Sequence, residues 1–338
     1  MQLLNKPKSK LKFPIKYIYK KIYEILLFNK VPETEAEITT EVLMEGTLRG
    51  YHNHGIDRIF QILTGLKQGT INPNATPTIL RESSAIAVMD GHYGLGYPTG
   101  KLAMEMAVQK AKKQGVGIVG VTNASHLGIL AYYSEIASQN GCIGIAMSTS
   151  SPAVVIKGGK IKTFGTNPIS YSLPYALHPI TADFATSKVS RGLIHEYLAK
   201  NKSIPLGWAV DNMGFNTHDA AKALEGGLQS LDGNIKGNII SMLVSILAGN
   251  LIGGVMNPKV TGTRDMNEKP NKGDLFIALD IESFTDQILF LEGIHELANF
   301  IKEQNSEFRI PGDNAYKQKY THSKGITLST KLETLFNV

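Results

Sequence analysis

The sequence predicts an α/β fold in which helical segments at both chain ends enclose a centre of alternating strands and helices. Three observations predict it. From Ile15 to about Leu66 apolar residues recur at helical spacing; from Ala85 onward short β-branched runs alternate with amphipathic helices; and Phe284 to Gln304 returns to an unbroken helical pattern. At 338 residues the chain has room for about two lobes at roughly 150 residues each, with a cleft between them. The expected division is a helical lobe from 13–78 with 288–338, an α/β lobe from 79–287, and a lysine-rich leader at 1–12.

Each element has a local reason. The first helix runs from Ile15 to Leu27, with Ile15, Ile18, Ile22, Ile25 and Leu26 on one stripe, and breaks at Asn29-Lys30-Val31-Pro32. The second runs from Glu33 to Arg49 and ends at Gly50. Residues Gly69 to Pro77, with Asn72-Pro73 and Thr76-Pro77, form an extended loop and mark the lobe boundary. The period then changes. Ala85–Met89 is a strand, Pro98–Gln114 a helix closed by Gly115, and Val116–Val121 a strand; Ile129–Asn140 is a helix closed by Gly141, and Ile143–Ser148 a strand. After Gly158-Gly159 come strands at Pro168–Leu173 and Ile180–Phe184 and a helix from about Ser187 to Lys200. Lys236–Leu251 reads as a buried helix, Leu275–Leu279 as a strand, and Phe284–Gln304 as the final long helix. There is no repeat of 20 to 50 residues.

Composition excludes several function classes. The net charge of +6 is local, because seven of the 35 basic residues fall in residues 1–21, where there is no acid. The body is near neutral, so no nucleic-acid partner is expected, and the leader reads as a solvated arm. No apolar stretch is read as reaching the ~18 residues of a membrane span, so no membrane is expected. Phe13–Phe28, broken by Lys16, Lys20, Lys21 and Glu24, is a poor secretory core, which points to the cytoplasm. The single cysteine, Cys142, has no intrachain partner and reads as buried packing in a reduced compartment.

Chemistry concentrates in Tyr51-His52-Asn53-His54-Gly55-Ile56-Asp57-Arg58. His54 and Arg58 are four apart, so on a helix they share a face and converge on one small anion, such as a carboxylate substrate bearing a reducible group. His126 follows a strand and precedes a helix, where α/β folds place functional loops, although a lone histidine is as often a satisfied structural residue. His178, before Pro179, is closer to the structural reading. Asp183, in Asp183-Phe184-Ala185-Thr186-Ser187, either caps the next helix, as Thr186 or Ser187 also can, or lies in a loop offering hydrogen bonds to a ribose or phosphate. Lys236-Gly237 puts a positive charge ahead of an apolar helix, suiting a phosphate or simple solvation of the helix end.

Three motifs are set aside. Gly115, Gly117 and Gly120 spell Gly-x-Gly-x-x-Gly, but they follow a helix and run into a strand, the reverse of a dinucleotide turn. A P-loop fails because Leu102 follows Gly100-Lys101 and position 95 is Leu. His52-x-His54 resembles a hydrolase metal pair, but no second cluster with ligand spacing accompanies it, and no metal is expected.

Taken together, these residues resemble the malate/L-lactate dehydrogenase family, which also includes L-sulfolactate, ureidoglycolate, diketogulonate and piperideine-carboxylate oxidoreductases and is distinct from the Rossmann-type dehydrogenases. The resemblance runs from about residue 15 to 314. It rests on Arg49-Gly50 with His54-Gly55-Ile56-Asp57-Arg58, Asp90-Gly91 through Gly94-Leu95-Gly96, Ser125-His126-Leu127-Gly128 with Tyr132-Tyr133, and Gly158-Gly159. Further pieces are Gly165-Thr166-Asn167-Pro168, Asp183 to Ser187, Ile204-Pro205-Leu206-Gly207-Trp208 with Asp211, Lys236-Gly237 and Pro311-Gly312-Asp313. Ala185-Thr186-Ser187 and Ser190-Arg191-Gly192 resemble the malate/sulfolactate branch.

The resemblance implies the L-sulfolactate dehydrogenase-like fold, not a standard Rossmann fold: a helical lobe from both chain ends and a central α/β lobe binding NAD or NADP without the glycine fingerprint. It implies a homodimer with the site in a cleft. Residue by residue, His54 and His126 match the acid/base histidines and Arg58 the residue for the substrate carboxylate. Ser150, Asp183, Phe184, Ala185, Ile235, Lys236, Gly312 and Asp313 match the cofactor positions. The implied reaction reduces a 2-oxo acid to a 2-hydroxy acid, a histidine protonating the oxygen as hydride arrives, with His54 the first candidate and His126 the second. The sequence departs from the pattern at Asn53, where serine is usual, at Thr149, where asparagine is usual, near Ile156-Lys157 and through Asn234–Asn238. These departures leave two rivals: another reaction of the same family, or a weakened member kept as a binding protein.

Overall fold

The computed structural model describes residues 11–176 and 178–338, so most of the lysine-rich leader, residues 1–10, lies outside the described residues. After the short strand β1 (Lys12–Phe13), helix α1 (Ile15–Phe28) starts directly behind Pro14 and buries Ile18, Ile22 and Leu26 completely. Helix α2 (Glu33–Leu48) starts behind Pro32, carries Glu33 and Glu35 against the positive helix end, and stops before Gly50, whose φ is +84°. Helix α3 (Ile59–Gln68) ends at the left-handed Gly69.

The segment between α2 and α3 is not the continuous helix that the His54/Arg58 spacing requires. It forms two 3₁₀ turns, His52–His54 and Ile56–Arg58, parted by the extended Gly55. The cause is a close approach to α2: a Cβ on Gly55 would lie 2.2 Å from Thr47 Oγ1, and one on Gly46 would lie 2.8 Å from the His54 carbonyl oxygen. The Thr47 hydroxyl takes the Ile56 N–H at 2.8 Å and fixes the turn.

The centre supplies β2 (Thr78–Glu82), β3 (Ile86–Asp90), α4 (Gly96–Gln114), β4 (Val116–Thr122), α5 (Ala131–Gln139) and β5 (Cys142–Ser148). Then come β6 (Val154–Val155), β7 (Lys162–Phe164), β8 (Ile169–Leu173), β9 (Ile180–Phe184), α6 (Arg191–Ala199), β10 (Ala209–Val210), α7 (Ala220–Glu225), β11 (Gly227–Leu228) and α8 (Ile235–Leu247). The chain closes with β12 (Gly273–Asp280), α9 (Gln287–Gln304), α10 (Asp313–His322), β13 (Ile326–Thr327) and α11 (Thr330–Phe336). The main sheet has seven strands in the order β2-β3-β4-β12-β5-β8-β9. Only β3 and β4 are parallel in it, and β12 lies antiparallel between β4 and β5, so this is not the parallel sheet of a Rossmann domain. β10, β11, β6 and β7 make a second, small sheet, and β1 pairs with β13, joining the two chain ends.

Alternation along β12 sorts the two faces of the sheet. Phe276 and Ala278 join the large core with α1, α2, α4 and α5, while Leu275 and Ile277 face α8. Cys142 is buried there as a free thiol. The glycine triplet is explained by packing: Gly115 closes α4 at φ +81°, a Cβ on Gly117 would sit 1.9 Å from the Ala107 carbonyl oxygen, and one on Gly120 would sit 2.4 Å from Ile252. None of the three meets a ligand loop.

Three expectations need correction. The window Ile235–Ile252 reaches 18 residues at a mean hydropathy of 1.6, so one stretch is long and apolar enough for a span; in the fold α8 ends at Leu247 and a 3₁₀ turn follows. That helix is not buried all round. Val244 packs inward, but Ile239, Met242, Leu243 and Ile246 are exposed. Nor does the final long helix open at Phe284: Asp286 caps it and it runs from Gln287 to Gln304, with the shorter α10 and α11 after it.

Candidate active site

The structure brings His54 and His126 side by side, with Arg58 near enough for its charge to act on both. The two imidazoles lie 5.4 Å apart with their planes inclined by 25°. His126 sits in the loop between β4 and α5, which is tied to the start of α4 by the Gly96 N–H donating to Ser125 Oγ at 2.9 Å and by the Ser125 N–H donating to the Gly94 carbonyl. His54 comes from the 3₁₀ turn seated on α2, so the pair is made by two distant parts of the chain.

Their surroundings set their states. The Gly128 N–H donates to His126 Nδ1 at 2.8 Å, so the neutral ring carries its proton on Nε2 and is a hydrogen-bond donor there. Burial, then the Arg58 and His54 charges, hold the His126 pKa well below the ordinary 6.5. Burial and the Arg58 charge push His54 down to about 3. Both rings are therefore neutral near pH 7. Among the described residues the His54 ring has no hydrogen-bond partner, leaving a nitrogen free to take a proton.

Arg58 is held rigidly on one side. Its Nε donates to the Asn53 carbonyl at 2.6 Å, its Nη1 donates to Gln61 Oε1, and the Gln61 amide donates to the Thr263 carbonyl at 2.8 Å. Among the described residues Nη2 has no hydrogen-bond partner. The buried Tyr97 ring lies 6.4 Å from His126, and among the described residues its hydroxyl has no hydrogen-bond partner. A cavity of about 10 Å³ between Tyr97, Gln61 and His126 is on the scale of a single water. Behind the site Lys272 and Asp274 form a fully buried pair, with Ser148 Oγ donating to Asp274 at 2.6 Å.

The other expected positions fall into two groups. Ser150, Asp183–Ala185 and Ile235–Lys236 surround a common hydrogen-bonded knot. Ser150 Oγ takes the Thr166 N–H at 3.0 Å, the Thr186 N–H donates to the Thr166 carbonyl at 2.8 Å, and Ser241 of α8 donates to Thr186 Oγ1 at 2.8 Å. This knot connects to the Arg58 side of the histidine pair, since Ser151 N–H donates to Oγ1 of Thr263, whose carbonyl holds Gln61, at 3.0 Å. Gly312 and Asp313 lie beside the start of β9: Pro311 accepts from Thr181, two residues before Asp183, a rise of about 7 Å at ~3.3 Å per residue. His178 stacks on Tyr316 at 4.4 Å and belongs to that end.

Asp183 does not cap the helix that follows it. Its carboxylate takes the Ala131 N–H at 2.9 Å, at the start of α5, and burial raises its pKa to about 6; Ser190 caps α6 instead. The departures from the family pattern have structural roles. Thr149 Oγ1 takes the Gly273 N–H at 3.0 Å, Asn234 caps α8, and Asn238 accepts from Lys157 N–H at 2.9 Å and donates to Val155. His52 is exposed with its ring near His322, and among the described residues no group of three His, Cys, Asp or Glu is placed to hold a metal.

Sequence reasoning missed Tyr97, Gln61, Thr263 and the Lys272–Asp274 pair. Gln61 was within reach of it, lying three residues beyond Arg58 at helical spacing.

Comparison with known proteins bears on the whole chain. A family model described as malate/L-lactate dehydrogenase matches residues 13–335. L-sulfolactate dehydrogenase of Methanocaldococcus jannaschii is 41% identical over 318 residues, covering 93% of this chain and 92% of that protein. Malate/(S)-sulfolactate dehydrogenase of Methanothermus fervidus is 38% identical over 312 residues, 92% of each chain. A solved sulfolactate dehydrogenase structure from Methanocaldococcus jannaschii superimposes with a TM-score of 0.90 at 39% identity, covering 96% of this chain and 95% of that one.

Proposed function

Because the chain belongs to the malate/L-lactate dehydrogenase family, and is thereby an oxidoreductase, we propose that it interconverts a small 2-oxo acid and its 2-hydroxy acid, of malate, L-sulfolactate or L-lactate type, with NAD or NADP. The observation that supports this reading is the meeting of two neutral imidazoles beside one half-tethered guanidinium.

The residues suit a dinucleotide. The exposed Lys236, which has no acidic partner among the described residues, offers positive charge to a phosphate at the start of α8, where Asn234 and Asp232 already take the Ile235 and Gly237 N–H groups. Ser150 offers a hydroxyl, and Ala185 its backbone; the Asp183 carboxylate is already committed to α5. Bound there, the nicotinamide would give or take the hydride.

The side chains divide the remaining work. Arg58 holds the substrate carboxylate through Nη2, the fixed Nε and Nη1 setting its angle. In oxidation His54 takes the hydroxyl proton, having a free nitrogen, while the locked Nε2–H of His126 donates to the same oxygen and orients it. In reduction the arriving carboxylate offsets the Arg58 charge, raises the affinity of His54 for a proton, and so loads the acid.

A pH profile follows. His54 with a free-enzyme pKa of about 3 is deprotonated throughout pH 5–8, so kcat/KM for hydroxy-acid oxidation is expected to show no acid-side fall in that range. A fall centred near pH 6.5 would contradict the buried, Arg58-facing base.

We also propose a homodimer. On α9 only Ala298 is buried, and the exposed Leu289, Leu297 and Phe300 share one side of the helix, an apolar face suited to a second copy. Light scattering is expected to give twice the chain mass; a monomer at micromolar concentration would contradict it. The function itself is tested by following nicotinamide absorbance with NADH and NADPH against oxaloacetate, sulfopyruvate, pyruvate, diketogulonate and piperideine-carboxylate. Turnover of the first three acids supports it, and a protein that binds neither cofactor would favour the weakened binding protein.

A further inference from the structure

Two arginines flank Arg58, brought there by contacts that leave them no acid to pair with. Arg191 opens α6, and its neighbour Gly192 lies so close to Asn53 that a Cβ there would be 2.6 Å from Asn53 Cγ. Asn53 is the residue whose carbonyl takes the Arg58 Nε proton. Arg264 follows Thr263, whose carbonyl takes the Gln61 amide and whose hydroxyl is bound by Ser151 at 2.6 Å; Gln61 in turn takes Arg58 Nη1. One contact therefore separates each arginine's neighbour from the residue holding Arg58.

Among the described residues none of Arg58, Arg191 and Arg264 has a carboxylate within 4.0 Å. The positive charges act on one another: burial, then Arg191 and Arg58, push the Arg264 pKa down to about 10. His195, one turn along α6, faces the same two outer arginines; burial and their charges lower it to about 4, and among the described residues its buried Nε2 has no hydrogen-bond partner. A single carboxylate bound at Arg58 balances one of three guanidiniums. The remaining charge suits a second anionic group on the same small molecule.

Resting on the dehydrogenase reading, we propose that Arg191 and Arg264 form a distal subsite for a carboxylate or sulfonate at the far end of the substrate, selecting acids with two anionic groups over lactate-type acids. Guanidinium is suited to it, because its planar fork matches either oxyanion with paired hydrogen bonds.

The test is steady-state reduction of oxaloacetate, sulfopyruvate and pyruvate by the full-length protein and by R191Q, R191K and R264Q, each checked for an unaltered denaturation midpoint. Wild type is expected to prefer both two-anion acids. In R191Q and R264Q the ratio of kcat/KM for oxaloacetate to that for pyruvate is expected to fall about 10- to 100-fold, the size of a charge-assisted hydrogen bond. The loss should appear in the KM of the acid, not of the cofactor, and R191K should recover part of it. Equal losses on all three acids, no loss on any, or a loss confined to cofactor KM would overturn the distal subsite while leaving the dehydrogenase standing. A wild type inert toward every 2-oxo acid would instead overturn the dehydrogenase reading, and the subsite with it.

Discussion

His54→Ala is expected to lower turnover about 10²- to 10⁴-fold in both directions, the usual contribution of a positioned general acid or base, with little change in cofactor KM. The expectation follows from the unequal tethering of the two imidazoles. His126 has its Nδ1 occupied by the Gly128 N–H and presents a fixed donor, whereas the His54 ring has no such partner and can exchange a proton. Steady-state rates at saturating cofactor check it. Turnover like that of wild type would remove His54 from the mechanism and leave His126 as the proton carrier.

Glu135→Ala is expected to destabilise the fold by about 3–5 kcal/mol, the cost of leaving a buried charge without its partner. Arg49 donates to both Glu135 oxygens, at 2.6 and 2.7 Å, and the two side chains are only 5% and 2% exposed. The same pair collects the Tyr316 hydroxyl at 3.0 Å, while Glu45 takes Arg49 Nε at 2.8 Å and Lys319 at 2.6 Å. The network thus ties α2, α5 and α10, the beginning, middle and end of the chain. Against a typical total of about 5–15 kcal/mol such a loss is large. Urea unfolding measures it, and replacing Arg49 and Glu135 together by Met and Leu is expected to cost less than losing Glu135 alone. A single-variant loss under about 1 kcal/mol would show that the ion pair does not hold the chain ends to the sheet.

Much of the fold was legible because burial wrote a period into the chain. The stripe of α1 and the bounds of β9 were read from the sequence almost as they stand. What escaped carries no such period. Every residue of β2 is exposed, α10 is mostly polar, and three strands of the small sheet have two residues each. The α8 run was legible as helix, but not as one whose outer face stays uncovered.

The site divides in the same way. His54, Arg58 and His126 stood out because rare chemical types sat in short, distinctive surroundings. Their helical spacing was a poor guide to how they meet, since Gly55 breaks the helix to let the turn reach α2. Arg264 is brought near Arg58 by tertiary packing, through Gln61 on Thr263, which no local pattern announces, and the Ser190-Arg191-Gly192 segment, distinctive as a sequence, gave no sign that Gly192 packs on Asn53. Of the two readings open for Asp183, a cap on the next helix or a place in a loop facing a ribose or phosphate, the first fails because β9 at the sheet edge runs beside α5, so the carboxylate meets that helix before its own.

The most direct measurement is to supply malate deuterated at C2 with oxidised cofactor and follow the label. Deuterium recovered at the nicotinamide ring of the reduced cofactor, with a slowed rate relative to unlabelled malate, is the expected result. Reduced cofactor free of deuterium, with the label released to water, would contradict hydride transfer at this site.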